Sequence, residues 1–219
     1  MHEAPGSSPV FANIYRPDEY FSHNVNSGTI RAPTGTRMLT VPEHLLIGIH
    51  EALLEETGAA SPVVLYRCGR WWGRRFAQRY FAEVRHFYRV DAGELSLGVF
   101  LMLLRRAWGM MGWGNLEISF GLREHGFIEA KVQGSIYSEV IGHHEQPREQ
   151  LVAGLLASII GEISGRELEC VQTSCKSVGA EQCVFLVGIK SRIDLLEAWV
   201  RQGRSHASIV ETIREGALA

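Results

Sequence analysis

The sequence predicts an α+β domain in which N-terminal helices pack on an antiparallel sheet laid out as β-β-α-β-β. Three observations carry this. Apolar residues recur at helical spacing from Pro42 to about Trp108. The pattern then changes to period two between Leu116 and Val132. A helix rich in small residues, Arg148 to Ile163, is followed by two further strands.

Taken in order, Met1 to about Leu39 has no sustained period and contains several prolines and glycines. It reads as an arm, partly disordered at its start and docked through Phe11, Ile14, Tyr15, Tyr20 and Phe21. Pro42 suits a first helical turn, and Glu43 to Thr57 carries Leu46, Ile49, Leu53 and Leu54 before Gly58 ends it. Ser61 and Pro62 open a longer helix toward Tyr88. There Val64, Cys68, Trp72, Phe76 and Tyr80 recur every fourth residue. Asp91 caps a third helix, Gly93 to Trp108, and Gly109 to Gly114 is a glycine-rich loop.

Leu116, Ile118, Phe120 and Leu122 alternate with polar or small residues, as do Ile128, Ala130 and Val132 after the turn at Arg123 to Gly126. This is a hairpin with one buried face. Gly134 to Pro147 is a connection, and Gly165 stops the helix that follows. Strands Glu167–Cys175 and Gln182–Ile189 meet at a turn near Gly179, and two C-terminal helices close the chain. The organisation is therefore an arm (1–39), a core domain (40–190) and C-terminal helices (191–219).

Composition narrows the function. At 219 residues the chain can bury roughly 70% of its unfolded surface without disulfide staples. Hydrophobic residues at 46% and charged residues at 21% exclude disorder for most of the chain. A net charge of −2 argues against a nucleic-acid binder or a polybasic membrane-surface protein. Four cysteines are too few for a secreted disulfide framework, so a cytoplasmic protein with free or metal-bound thiols is expected. The longest apolar stretches fall short of the ~20 residues that a membrane span needs.

Cys170, Cys175 and Cys183 form the sharpest cluster, in Cys-x4-Cys-x7-Cys spacing. The last two flank a hairpin turn, so their thiols can converge. Three readings stand: buried structural thiols, a Zn²⁺ site completed by Glu149, His143 or His144, and redox chemistry. Trp71, Trp72, Phe76, Phe100, Met102, Trp108, Met110, Met111 and Trp113 suit either a bulky core or a pocket for a planar, oily ligand. Trp72, Phe76, Trp108, Met111 and Phe120 are the expected ligand-binding residues. Arg67, Arg70, Arg74 and Arg75 offer a clamp for an acidic group or a solvated helix face. The catalytic Ser elbow, the phosphate loop and the dinucleotide turn are all missing, which favours binding over catalysis.

The run Val132-Gln133-Gly134-Ser135, the helix Gly154-Leu155-Leu156-Ala157-Ser158, Gly165-Arg166 and the ending Cys175-x7-Cys183-Val184-Phe185 resemble the vinyl-4-reductase domain. The resemblance covers about Pro42 to Ile189. That family includes a bacteriochlorophyll-biosynthesis protein assigned as a 4-vinyl reductase and the sensory domains of phenol- and xylene-responsive activators. It implies an α+β fold enclosing an apolar pocket, related to subunits of vesicle-tethering complexes, and a homodimer. It also implies zinc held by a Cys, a Glu and the Cys-x7-Cys pair. Here the pair falls on Cys175 and Cys183, the first ligand near Glu149 and the second on Gln172, a neutral amide and a poor ligand.

The function expected is non-catalytic binding or sensing of a small hydrophobic or aromatic molecule, with the signal passed to a separate signalling protein. A tetrapyrrole carrier or 4-vinyl-reductase-associated protein, and a structural adaptor, are the alternatives.

Overall fold

The structure, a computed structural model, describes residues 13–140 and 149–216. The expectations for Phe11, His143, His144 and Pro147 lie outside those residues. In the arm, α1 (Pro17–Tyr20) precedes β1 (Ser22–Asn24), β2 (Thr29–Arg31) and β3 (Arg37–Met38), which pair antiparallel in that order. Strands of two or three residues are too short to print an alternation in sequence. Tyr15 and Tyr20 are buried and dock the arm on the helices.

Two predicted helices stand as α2 (Glu43–Thr57) and α3 (Ser61–Tyr88). The buried face of α3 departs from the predicted row. Leu65, Gly69, Gly73, Ala77 and Val84 share it with Phe76 and Tyr80, whereas Cys68 is exposed. Glycine carries no hydrophobic signal, so periodicity missed the side on which a neighbouring backbone approaches. The third helix, α4 (Leu97–Gly109), starts later than Gly93. Asp91 instead caps a single 3₁₀ turn, Ala92–Glu94, through a reciprocal capping box. Ser96 caps α4, its Oγ accepting the Val99 N–H at 3.4 Å.

The second half holds β4 (Asn115–Ser119), β5 (Ile128–Gln133), the short α5 (Ile136–Val140), α6 (Gln150–Ser164), β6 (Glu169–Ser174), β7 (Cys183–Gly188), α7 (Lys190–Arg201) and α8 (His206–Arg214). The four strands form an antiparallel sheet in the order β4-β5-β7-β6. The fold class is α+β, as the sequence predicts. Leu116, Ala130, Val132, Phe185 and Val187 face a core shared with α3, α4 and α6. Val171 and Leu186 face the other way, against Ile193 and Leu196 of α7 and Ile209 and Ile213 of α8. Because both faces are covered, β7 is apolar throughout instead of alternating.

Helices α3 and α6 cross backbone to backbone. A Cβ on Gly69 would stand 2.0 Å from the Leu151 carbonyl oxygen, and one on Gly154 2.0 Å from that of Tyr66. Gly165, at φ 64°, ends α6 in the left-handed region. No described helix is long and apolar enough to cross a membrane.

Candidate functional site

The crossing of α3 and α6 fixes where α6 begins, and Glu149 occupies its N-cap position. The β6–β7 hairpin brings Cys175, just past β6, and Cys183, the first residue of β7, to the same point. Glu149 Oε1 accepts from Cys183 Sγ at 2.9 Å and from Cys175 Sγ at 3.6 Å, and the two sulfurs are 3.8 Å apart. One donor atom from each residue falls within 4.8 Å of the others, and all three residues are buried. Cys170 points away into the core and stands apart from this group. Its backbone N–H donates to the Tyr66 hydroxyl at 3.0 Å.

Side chains that sequence reasoning did not assign a role hold the cluster in place. Ser135 Oγ donates to Glu149 Oε2 at 2.7 Å, and Ser177 Oγ lies 2.9 Å from Cys175 Sγ. Gln172 Oε1 accepts the Glu149 backbone N–H at 3.0 Å. The amide oxygen is thus occupied in fixing the start of α6. The Gly134-Ser135 pair after a strand was the available signal for Ser135, but turns of that kind are common.

Burial, with the Cys175 thiol beside it, raises the Glu149 carboxyl to about 7. The Cys183 thiol donates to Cys175 and holds it low, while Cys183 is pushed up by that same bond. Two thiols and a carboxylate converging in a buried site are a donor set that Zn²⁺ accepts, so the residues fit a three-ligand centre.

The expected ligand-binding residues do not all converge. Trp72 and Met111 line a groove of about 950 Å³ between β3, the start of α2, α3 and the glycine-rich loop. Phe76 and Trp108 lie in the core, edge to face, with ring centroids 6.4 Å apart. Phe120 falls just past the end of β4, outside the groove. Among the four arginines singled out, Arg70 pairs with Glu169, Arg74 lies 3.9 Å from Glu162, Arg67 is exposed, and only Arg75 lines the groove.

The groove and the cluster share an aromatic wall. Trp72 and Trp113 lie 4.9 Å apart, and Trp113 and Tyr137 6.0 Å apart. Burial and the nearby Glu149 push the Tyr137 hydroxyl up to about 12. Ser135, Ile136 and Tyr137 are consecutive: the first binds Glu149, the second lines the groove and the third packs on Trp113.

Comparison with known proteins agrees with this architecture. The phenol-responsive sensory domain of the transcription activator PoxR, solved with phenol, superposes with a TM-score of 0.65 at 14% identity, covering 84% of this chain and 92% of that one. A trafficking protein particle complex subunit 3 from Naegleria fowleri, covalently bound to palmitic acid, gives a TM-score of 0.51 at 15% identity, covering 68% and 94%. A vinyl-4-reductase family protein from Methanocaldococcus jannaschii gives 0.45 at 19% identity, covering 68% and 82%. No curated protein sequence matches the chain. The family model of the vinyl-4-reductase domain matches residues 128–189, which hold β5 to β7 and all three residues of the cluster. Residues 128–189 thus carry the vinyl-4-reductase domain, the family to which the small-residue helix and the Cys-x7-Cys ending point.

Proposed function

We propose that this chain is a non-catalytic ligand-binding domain that takes a small hydrophobic or aromatic molecule in the groove beside Trp72, Trp113 and Met111. It passes the resulting signal to a separate protein. The observation that carries this reading is the continuous stretch Ser135-Ile136-Tyr137, which touches the groove and the buried cluster at once. A pocket walled by Trp and Met is apolar, adaptable and suited to planar ligands. The PoxR domain of the same fold was solved with phenol, which supports ligand sensing as the role.

The second element of the proposal is zinc held by Glu149, Cys175 and Cys183. Such an ion would act structurally, tying the start of α6 to the β6–β7 hairpin, and would favour the charged carboxylate and thiolates. Leu45 and Ile49 on α2 and Val63 on α3 are exposed, which supports a homodimer built on that face. All four cysteines are free, which supports a reducing compartment such as the cytoplasm.

Native mass spectrometry after incubation with a lipid extract tests the ligand reading. We expect a small molecule retained by the wild type and lost from Met111→Trp, which fills the groove. A chain that retains nothing would sink the proposal. Light scattering at several concentrations tests the dimer.

A further inference from the structure

The groove has a charge signature that narrows what it takes. Arg37, Arg75 and Arg79 line it and no carboxylate does, although the chain carries a net charge of −2. Arg79 is the unusual member, with its side chain only 9% exposed. Its Nη1 and Nη2 reach no oxygen. They contact the sulfurs of Met38 and Met111, each at 3.4 Å, and a thioether is a weak acceptor. Its Nε lies 3.5 Å from Glu83 Oε1 without forming a hydrogen bond. Its Cζ stands 5.1 Å from the centroid of the Phe76 ring.

Glu83 balances the charge of Arg79 on the Nε side but is already committed. It is fully buried and accepts hydrogen bonds from the hydroxyls of Tyr15, at 3.1 Å, and Tyr20. The guanidinium fork is therefore desolvated and lacks a strong acceptor, a costly arrangement for a group with five N–H donors. A carboxylate matches that fork bidentately and would displace only the two sulfur contacts. Arg37 and Arg75, nearer the solvent, add positive potential at the mouth.

We propose that the ligand is an apolar or aromatic carboxylic acid, its carboxylate on Arg79 and its body along Trp72, Trp113 and Met111. This rests on the groove being the ligand site, as read above.

Calorimetric titration of the full chain with 2-naphthoate and 2-naphthamide separates the two readings. The acid should bind roughly 10- to 100-fold tighter than the amide, the range expected for hydrogen bonds to an ionised group. In the double variant Arg79→Gln, Glu83→Gln, which keeps the charge balance, the acid should fall to the affinity of the amide. Arg79→Lys keeps the charge and removes the fork, so it should lower the preference at least ~3-fold even if the double variant does not fold. Equal binding of both probes to the wild type, or a preference untouched by these variants, would overturn the acid while leaving the groove as a ligand site. If neither probe binds, both readings fall.

Discussion

Gly154→Ala is the substitution that most directly tests how α6 is placed. An alanine Cβ there would lie 2.0 Å from the Tyr66 carbonyl oxygen and 2.9 Å from the Arg70 nitrogen. Both atoms belong to the backbone of α3, so no side chain can swing aside and the helices must separate by about an ångström. Overpacking of this kind costs roughly 1–3 kcal/mol, and a backbone-on-backbone clash belongs at the upper end. Alanine returns up to ~1 kcal/mol as a better helix former. The expected net loss is about 2 kcal/mol, or roughly 4–8 °C in Tm for a chain of this length. Gly48→Ala is the matched control, because a Cβ at that position in α2 meets nothing within 4 Å. It should stabilise by up to ~1 kcal/mol. Urea denaturation measures both, and a shifted midpoint at constant slope isolates stability. If Gly154→Ala lies within about 0.5 kcal/mol of wild type, or if Gly48→Ala costs as much, the close crossing is refuted.

Elemental analysis of purified protein should find one zinc per chain, falling to background in Cys175→Ser and Cys183→Ser. A wild-type chain without metal would refute the centre. Stability should depend on pH through Glu83, whose carboxyl is raised by burial, the hydroxyls of Tyr20 and Tyr15 and the Arg79 guanidinium only partly opposing this. The folded state then holds this proton more tightly than the unfolded state. Stability from this group is full below the ordinary glutamate range and declines as pH rises from that range through the raised folded value. Urea titrations across that window should show the decline, and Glu83→Gln should flatten it. Trp108→Ala should cost about 3–5 kcal/mol in the same assay because Trp108 is wholly buried. Trp72→Ala, half-buried at the groove, should cost far less yet lose the retained ligand.

Much of the fold was legible because the elements that matter are long and periodic. α2, α3 and the β4–β5 pair declare themselves by spacing alone. What escaped notice has physical reasons. The buried side of α3 contains Gly69 and Gly73, invisible to any hydrophobicity count, yet it sets the whole helix crossing. The arm's three strands are too short to alternate. The convergence of Cys175 with Cys183 was readable, since a hairpin turn separates them, whereas Glu149 was placed only by analogy with relatives. Ser135 and Arg79 were missed. Each carries its role through partners far away in sequence, Glu149 for the first and Glu83 with two methionine sulfurs for the second.

That three-residue stretch after β5 also explains how a bound molecule could be felt at the cluster without touching it. Ile136 lines the groove, so a ligand that packs on it restrains the stretch to one position. Ser135, the preceding residue, then keeps its 2.7 Å bond to Glu149, and Tyr137, the following one, stays packed on Trp113. By linkage the effect is reciprocal: whatever anchors Glu149 to the two thiols also steadies the groove wall. The coupling can be no larger than the difference in contacts between the anchored and released stretch, a hydrogen bond to a carboxylate and one ring contact. At about 1.5–3 kcal/mol for such a bond and about 0.5–1.5 for the rings, that ceiling is enough to change occupancy tenfold or more. Among the described residues, this is the one place where ligand groove and metal centre meet through consecutive residues. A signal that begins at Trp72 therefore has a direct physical route to the β6–β7 hairpin.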